Sequence, residues 1–395
     1  MLFPWLKRAA TQSVETAVPG RGLQGINNFT RFIRKSTALQ IMALNVANTL
    51  QQFTGVASAA VLVKPRYLAG ALWRYTRHPS MVAADIHEKS AFMRERSNPM
   101  VGDIQGNIDN IILNPSNLQK AKGFADRHGY ILQTMTQNIV DYITWGGAYE
   151  QSIVEGKNEA EAVREANTAV RETQGSFAPE DISKFEAGTP FMRIFTMFSS
   201  YFNTMANLLG TEFGKAIRQG GFKGASRAFY IYVFGYMIPA VLAEAITQSA
   251  TGDLYDDEDD DGYLDNILGT FFLSQVRFGL AMVPFAGQAV NVTINRFDDK
   301  WYNDRMSASP VLTMIEGAGG TAYDLYRLGA GDEELRGRTV ARDALTLLGV
   351  STGLPLRSIS KPVGYLLDVE QGFVEPESAV DLTRGLITGY TGVQR

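Results

Sequence analysis

The residues able to do chemistry in this chain are few and badly spaced for it. Among 395 residues there is no cysteine, so thiol nucleophiles, disulfides and thiolate-held metals are excluded. Three histidines are present, His78, His87 and His128, and no two stand four apart as a helical zinc pair would. His87-Glu88 lies in a charged stretch and reads as a solvated surface pair. Asp257, Asp259, Asp261 and Gly262 reproduce the opening of a calcium-binding loop. Its twelfth position is Leu268, where a bidentate glutamate is needed, so the match fails at the ligand that closes the site. Gly317 to Ala322 spells a G-x-G-x-x-A fingerprint, but no strand reads before it, so helix ends and turns account for these glycines. Ser358-Ile-Ser-Lys361 forms an isolated S-x-x-K without the companion motifs of acyl-transfer enzymes. No catalytic residue, cofactor site or metal site is assigned, and the expectation is a protein that is not an enzyme.

The elements that would position a site are helices. Hydrophobic residues make up 45% of the chain and charged residues 20%, with a net charge of −4. Mean hydropathy is −0.09, too apolar for disorder and too polar for a multi-span transporter. Bulk charge gives no reason to bind nucleic acid. No period-two strand pattern and no internal repeat is found, so the fold class is all-α, an extended assembly of long amphipathic or apolar helices. The N-terminus puts its apolar residues before Lys7 and Arg8, the reverse of a secretory signal.

Charge is distributed in blocks. Long uncharged stretches, Ser36–Val63, Ile194–Thr211, Ala228–Ala243 and Phe278–Asn295, alternate with charged clusters. Five regions result: a basic helical region over 1–98, a soluble helical region over 99–189, apolar aromatic helices over 190–252, an acidic loop over 253–265 and a C-terminal helical region over 266–395. Residues 25–63 read as one helix, in which Asn45, Asn48, Gln51 and Gln52 make polar contacts between packed helices. Lys64-Pro65-Arg66 ends it, and an amphipathic stretch follows over 67–75. Residues 85–96 read as solvated and 98–117 as loop. A helix over 118–152 is interrupted at Trp145-Gly-Gly. EAEAVREANTAVRET, 159–173, is a surface helix, and Pro179 opens a short one. Shorter helices are expected at 306–316, 320–328, 338–349 and 376–386.

Two segments are apolar on more than one face, and such helices need lipid or a protein partner. In 191–210, within a helix expected over 191–217, these residues are Phe191, Phe195, Phe198, Tyr201 and Phe202. In 228–250 they are Phe229, Tyr232 and Phe234, with Pro239 expected to kink the helix. Glu244 there needs a partner or a watery lumen. Basic Lys215, Arg218, Lys223 and Arg227 precede 228–250, across a Gly-rich connector over 218–227, and the acidic run follows. By the positive-inside rule its N-terminal side would face the cytoplasm. A bilayer and a buried place in a large all-α assembly both satisfy this pattern. These ten residues are the candidates for membrane or oligomer contact.

Three segments in this order complete the pattern: MLFPWLKRAATQ at 1–12, TPFMRIFTMFSSYFNTMANLLGTEF at 189–213 and, after the apolar helix, DLYDDEDDDGYLDNIL at 253–268. The series resembles internal virion proteins of tailed bacteriophages and the C-terminal helical regions of large polyvalent phage proteins. The resemblance implies a protein carried in the virion and delivered with the genome into the host periplasm or inner membrane. It implies a role in a channel or conduit for DNA. Its partners would be further copies of itself, other virion proteins and the host inner membrane, with phage DNA passing through and not bound by sequence. A purely structural core or portal-associated component is the alternative, and a muralytic enzyme component is a second one.

Overall fold

The computed structural model describes residues 21–43, 45–97, 130–175, 199–251 and 337–370, with isolated positions at 189, 193 and 196, between 271 and 282, and between 372 and 389. Every regular element among the described residues is a helix, which establishes the all-α class. In chain order these are α1 (Arg21–Met42), α2 (Val46–Gln51), α3 (Thr54–Ala59), α4 (Pro65–Arg77), α5 (Pro79–Lys89), α6 (Ala91–Arg96), α7 (Ile131–Val154), α8 (Glu159–Thr173), α9 (Ser199–Gln219), α10 (Gly221–Tyr232), a π turn (Val233–Met237), α11 (Ile238–Thr251), α12 (Gly337–Thr352) and α13 (Leu356–Glu370). The loop expected over 98–117, the helix at Pro179, the acidic run and the expected helices at 306–316 and 320–328 lie outside the described residues.

The stretch 25–63 is three helices and not one. Asn45 ends the continuity: its side chain accepts from the Asn48 N–H at 3.1 Å and so caps α2. Its amide group also donates to the Ile41 carbonyl at 2.9 Å, so Asn45 serves the break itself and not a neighbouring helix. Gln51 does reach across, donating to the Ala243 carbonyl at 3.4 Å.

Helix α7 is the axis of the first core, packing against α2, α3, α4, α5 and α8. Trp145-Gly146-Gly147 does not interrupt it. Gly147 lies where α7 crosses α4, and a Cβ there would sit 3.2 Å from the Leu68 nitrogen and 3.2 Å from the Tyr67 carbonyl carbon. Gly147 therefore sets a close helix crossing, which outweighs its low helix propensity, while a Cβ on Gly146 would meet Ala71 at an ordinary 3.5 Å. Trp145 is fully buried, and its indole N–H donates to Asn167 Oδ1 at 2.8 Å. Helix α8 opens on a capping box between Asn158 and Glu161. It turns Ala162, Ala166, Ala169 and Val170 inward, a face of small residues that lets it lie close along α7.

Residues 85–96 are less solvated than their charge suggests. Ile86, Ser90 and Met93 are buried. His87 also turns inward, with Nε2 2.9 Å from the Tyr142 hydroxyl and 2.9 Å from Ser97 Oγ, while Glu88 stays exposed. Burial, and then the Arg94 charge, lower the His87 pKa below 6.5 and favour the neutral ring that this pairing uses. Arg96, at the end of α6, donates through Nε to Asp141 Oδ2 at 2.7 Å and through Nη2 to Oδ1 at 3.3 Å. The same Nη2 donates to the Gly175 carbonyl just past α8, at 2.7 Å.

In the C-terminal part, α12 and α13 pair with each other and pack against α1. Gln40 on α1 donates to the Leu354 carbonyl in the α12–α13 turn. The helix expected at 338–349 is thus present as α12, and the Ser358–Lys361 tetrad lies within α13.

Candidate membrane and oligomer interface

Helices α9 and α10 form a tight antiparallel hairpin. Two consecutive glycines make the turn, Gly220 at φ 65° and Gly221 at φ 56°, in the left-handed region that other residues avoid. Gly224 then brings the two backbones together, since a Cβ there would lie 2.5 Å from the Ala216 carbonyl oxygen. The expected connector over 218–227 is accordingly reduced to Gly220, and its basic residues are helical. Arg227 turns inward, donating to the Val61 carbonyl at 2.7 Å and to Glu212 Oε2 at 2.9 Å. Lys215 reaches Glu212 Oε1 at 2.6 Å. This buried glutamate therefore ties the hairpin closed, and Arg227 fixes it to the Val61 carbonyl just past α3.

Burial raises the Glu212 pKa, but the hydrogen bonds and charges of Lys215 and Arg227 outweigh it and hold the group below 4.5. A depressed carboxylate contributes stability that is present above the unfolded-state pKa and lost as pH falls through the folded one. The difference in melting temperature between the native chain and Glu212→Gln is expected to hold steady from neutral pH to about the ordinary glutamate value, then shrink on further acidification. Thermal melts followed by circular dichroism across that range check it. A difference that persists undiminished in acid would show the clasp to be one of shape and not of charge.

Beyond the hairpin the helix continues through α10, the π turn and α11. Pro239 does interrupt the regular pattern, and the interruption takes the form of the π turn directly before it. Proline has no N–H and crowds the carbonyl four residues earlier. Widening one turn relieves both, and the Ile238 N–H bonds to the Val233 carbonyl, five residues back. Pro239 itself is buried.

The sequence candidates fall on different sides of this helix. Tyr201 faces α3, its hydroxyl 3.3 Å from Thr54 Oγ1 and 3.4 Å from Ser58 Oγ. Phe202 meets Phe278 edge to face at 5.8 Å, and Phe278 meets Tyr236 at 5.4 Å. Tyr236 stacks on Tyr232 at 5.7 Å. Phe234 is half-buried and packs against both the α7 core and a second cluster that includes Met205, Leu208 and Ile231. Gly235 lies under Leu209 and Val61, with no room for a Cβ. Tyr230 anchors the same inner side, donating to the Ala60 carbonyl at 2.8 Å. Glu244 is buried, at 9% exposure. Phe229 points the other way and is 68% exposed. Phe222, two helical turns earlier on the same face, is 87% exposed. Phe191, Phe195 and Phe198 lie outside the described residues.

The segment Gly221–Ile246 is 26 residues long; its most apolar 18-residue window has mean hydropathy 1.6 and is only 28% buried. It is long and apolar enough to cross a bilayer by length and composition. Sequence reasoning placed this segment but missed Phe222, because the glycines beside it read as a connector. No group of three metal-ligating side chains occurs among the described residues.

Compared with known protein families, with curated proteins and with solved structures, the chain matches none.

Proposed function

We propose that this chain is a tailed-phage virion protein, ejected with the genome, which helps to form a conduit for DNA across the host envelope. The observation that carries the membrane part is the helix 221–246, whose most apolar 18-residue window is only 28% buried. Its role is physical. The inner side stays held by Tyr230, Gly235 and Pro239, and the outer side, led by Phe222 and Phe229, meets lipid or a second subunit. Burying apolar area is worth about 25 cal/mol per Å², so this exposed face is a standing drive toward a partner. The phage assignment itself rests on the resemblance at 1–12, 189–213 and 253–268. The alternative of a purely structural virion component draws on a separate fact. The same helix is already hydrogen-bonded along one side, to the Ala60 carbonyl and, through the Ala243 carbonyl, to Gln51.

Flotation of the purified chain with vesicles, followed by carbonate extraction, tests the proposal. Carbonate-resistant association of oligomers is the expected result. A monomer that ignores bilayers sinks the membrane part, and rings without lipid affinity favour the structural alternative. Clearing of peptidoglycan in a zymogram would replace both with the enzyme reading.

A further inference from the structure

The elbow between α4 and α5 carries a second exposed apolar group, unrelated to helix 221–246. From Leu72 to Met81 every residue except Tyr75 is exposed. Trp73 is 60% exposed, Met81 68% and Leu72 44%. Tyr67, Leu68 and Ala71, on the other side of α4, are buried. The helix thus spends one face on the α7 crossing and leaves Leu72 and Trp73 outside.

The charged residues from Lys64 to Met81 are all basic, and no acidic residue occurs from Thr16 to Ala84. Acids lie at the margins: Glu150 pairs with Arg74, Glu155 pairs with Lys64, and at the end of α5 Asp85 pairs with Lys89 while Glu88 is exposed. Arg77 has no ion pair among the described residues; its guanidinium lies over the Trp73 ring, 4.1 Å from the centroid. The tryptophan, the aliphatic Leu72 and Met81 and the uncommitted cation share one short segment. An amphipathic helix with basic residues beside Trp and Leu is the form that lies in a bilayer interface. Tryptophan favours the headgroup level, where the apolar ring and the polar N–H are both accommodated.

We propose that the α4–α5 elbow is a peripheral docking surface for an anionic lipid bilayer. Trp73, Leu72 and Met81 enter the interface, and Arg77 meets lipid phosphate. This surface works without any segment crossing the membrane, so it stands even if helix 221–246 never inserts. The aliphatic pair favours lipid over single-stranded nucleic acid, which would ask for further stacking rings.

Co-sedimentation of the full chain with vesicles of phosphatidylcholine, with and without phosphatidylglycerol, tests it. Salt-sensitive binding to the anionic vesicles is expected, without carbonate resistance at this surface. Trp73→Ser with Met81→Ser should lower partitioning about tenfold or more. Arg77→Gln should lower it about fivefold and flatten the salt dependence. All three positions are exposed, and an unchanged helical spectrum would show that the fold persists. A double variant that binds like the native chain overturns the proposal. So does equal binding to neutral vesicles, or retention of single-stranded DNA at this elbow in place of vesicles. Failure of the helix 221–246 reading would appear separately, as loss of carbonate resistance with this salt-sensitive binding intact.

Discussion

Asp141→Asn is expected to destabilise the fold by about 3–5 kcal/mol, the usual cost of leaving one member of a buried ion pair without its counter-charge. The side chains of Arg96 and Asp141 are 10% and 2% exposed, so water cannot take over for the missing carboxylate. Asp141 also accepts from Gln137 Nε2 at 2.8 Å, so both its oxygens are committed. The consequence spreads because α6 is too short to hold itself together. Its last residue ties it to α7, and through the Gly175 carbonyl to the end of α8. Urea unfolding followed by circular dichroism measures the loss as a lower midpoint with an unchanged slope. Removing both charges, with Arg96→Met and Asp141→Leu, should recover part of it, because a desolvated pair costs nearly as much to bury as it returns. Full recovery is not expected, since Gln137 and the Gly175 carbonyl would lose their partners. A single variant with an unshifted midpoint would mean that the pair is open to solvent.

How far the sequence revealed this arrangement depended on what each residue was doing. Asp141 stands inside the apolar run Asn138-Ile-Val-Asp-Tyr-Ile-Thr-Trp145, and an acid there signals a buried partner. The partner could not be found by spacing, since Arg96 lies on another helix and their pairing is a property of the packed body. Gly147 misled for a related reason. Local propensity marks the Gly-Gly pair as a helix break, and only the closeness of α4 makes Gly147 a requirement of the crossing. Asn45 erred in the opposite direction: it was assigned to packing and serves as a cap. The helical class, the surface helix at 159–173 and the apolar segment near 228–250 were legible because each rests on periodicity or composition within one element. Which face of that segment is covered was not legible, because Phe234 is as apolar as Phe229. They differ only in what lies opposite them.

That difference gives the second large effect. Phe229→Asp is expected to leave the dissolved fold almost untouched while reducing stable membrane insertion roughly tenfold. The first half follows from exposure: Phe229 is 68% exposed on α10, and surface changes of this kind stay within about 0.5 kcal/mol. The second half follows from the bilayer. An aspartate near the centre of a spanning helix costs about 2.5–3.5 kcal/mol, and every 1.4 kcal/mol is a factor of ten. Phe229 lies more than one turn from the midpoint of Gly221–Ile246 and two residues after Arg227, so only about half of that cost applies. Phe29→Asp on α1 is the matched control, since Phe29 is 63% exposed and lies outside that segment. Carbonate-resistant recovery with vesicles is the readout to use, because surface attachment through the α4–α5 elbow would survive either change. Equal loss in both variants would point to general insolubility, and no loss in Phe229→Asp would mean that the outer face of α10 never meets the hydrocarbon. If oligomers of the dissolved chain break apart in Phe229→Asp alone, the exposed aromatic face belongs to a subunit contact, and the structural alternative gains the same residue.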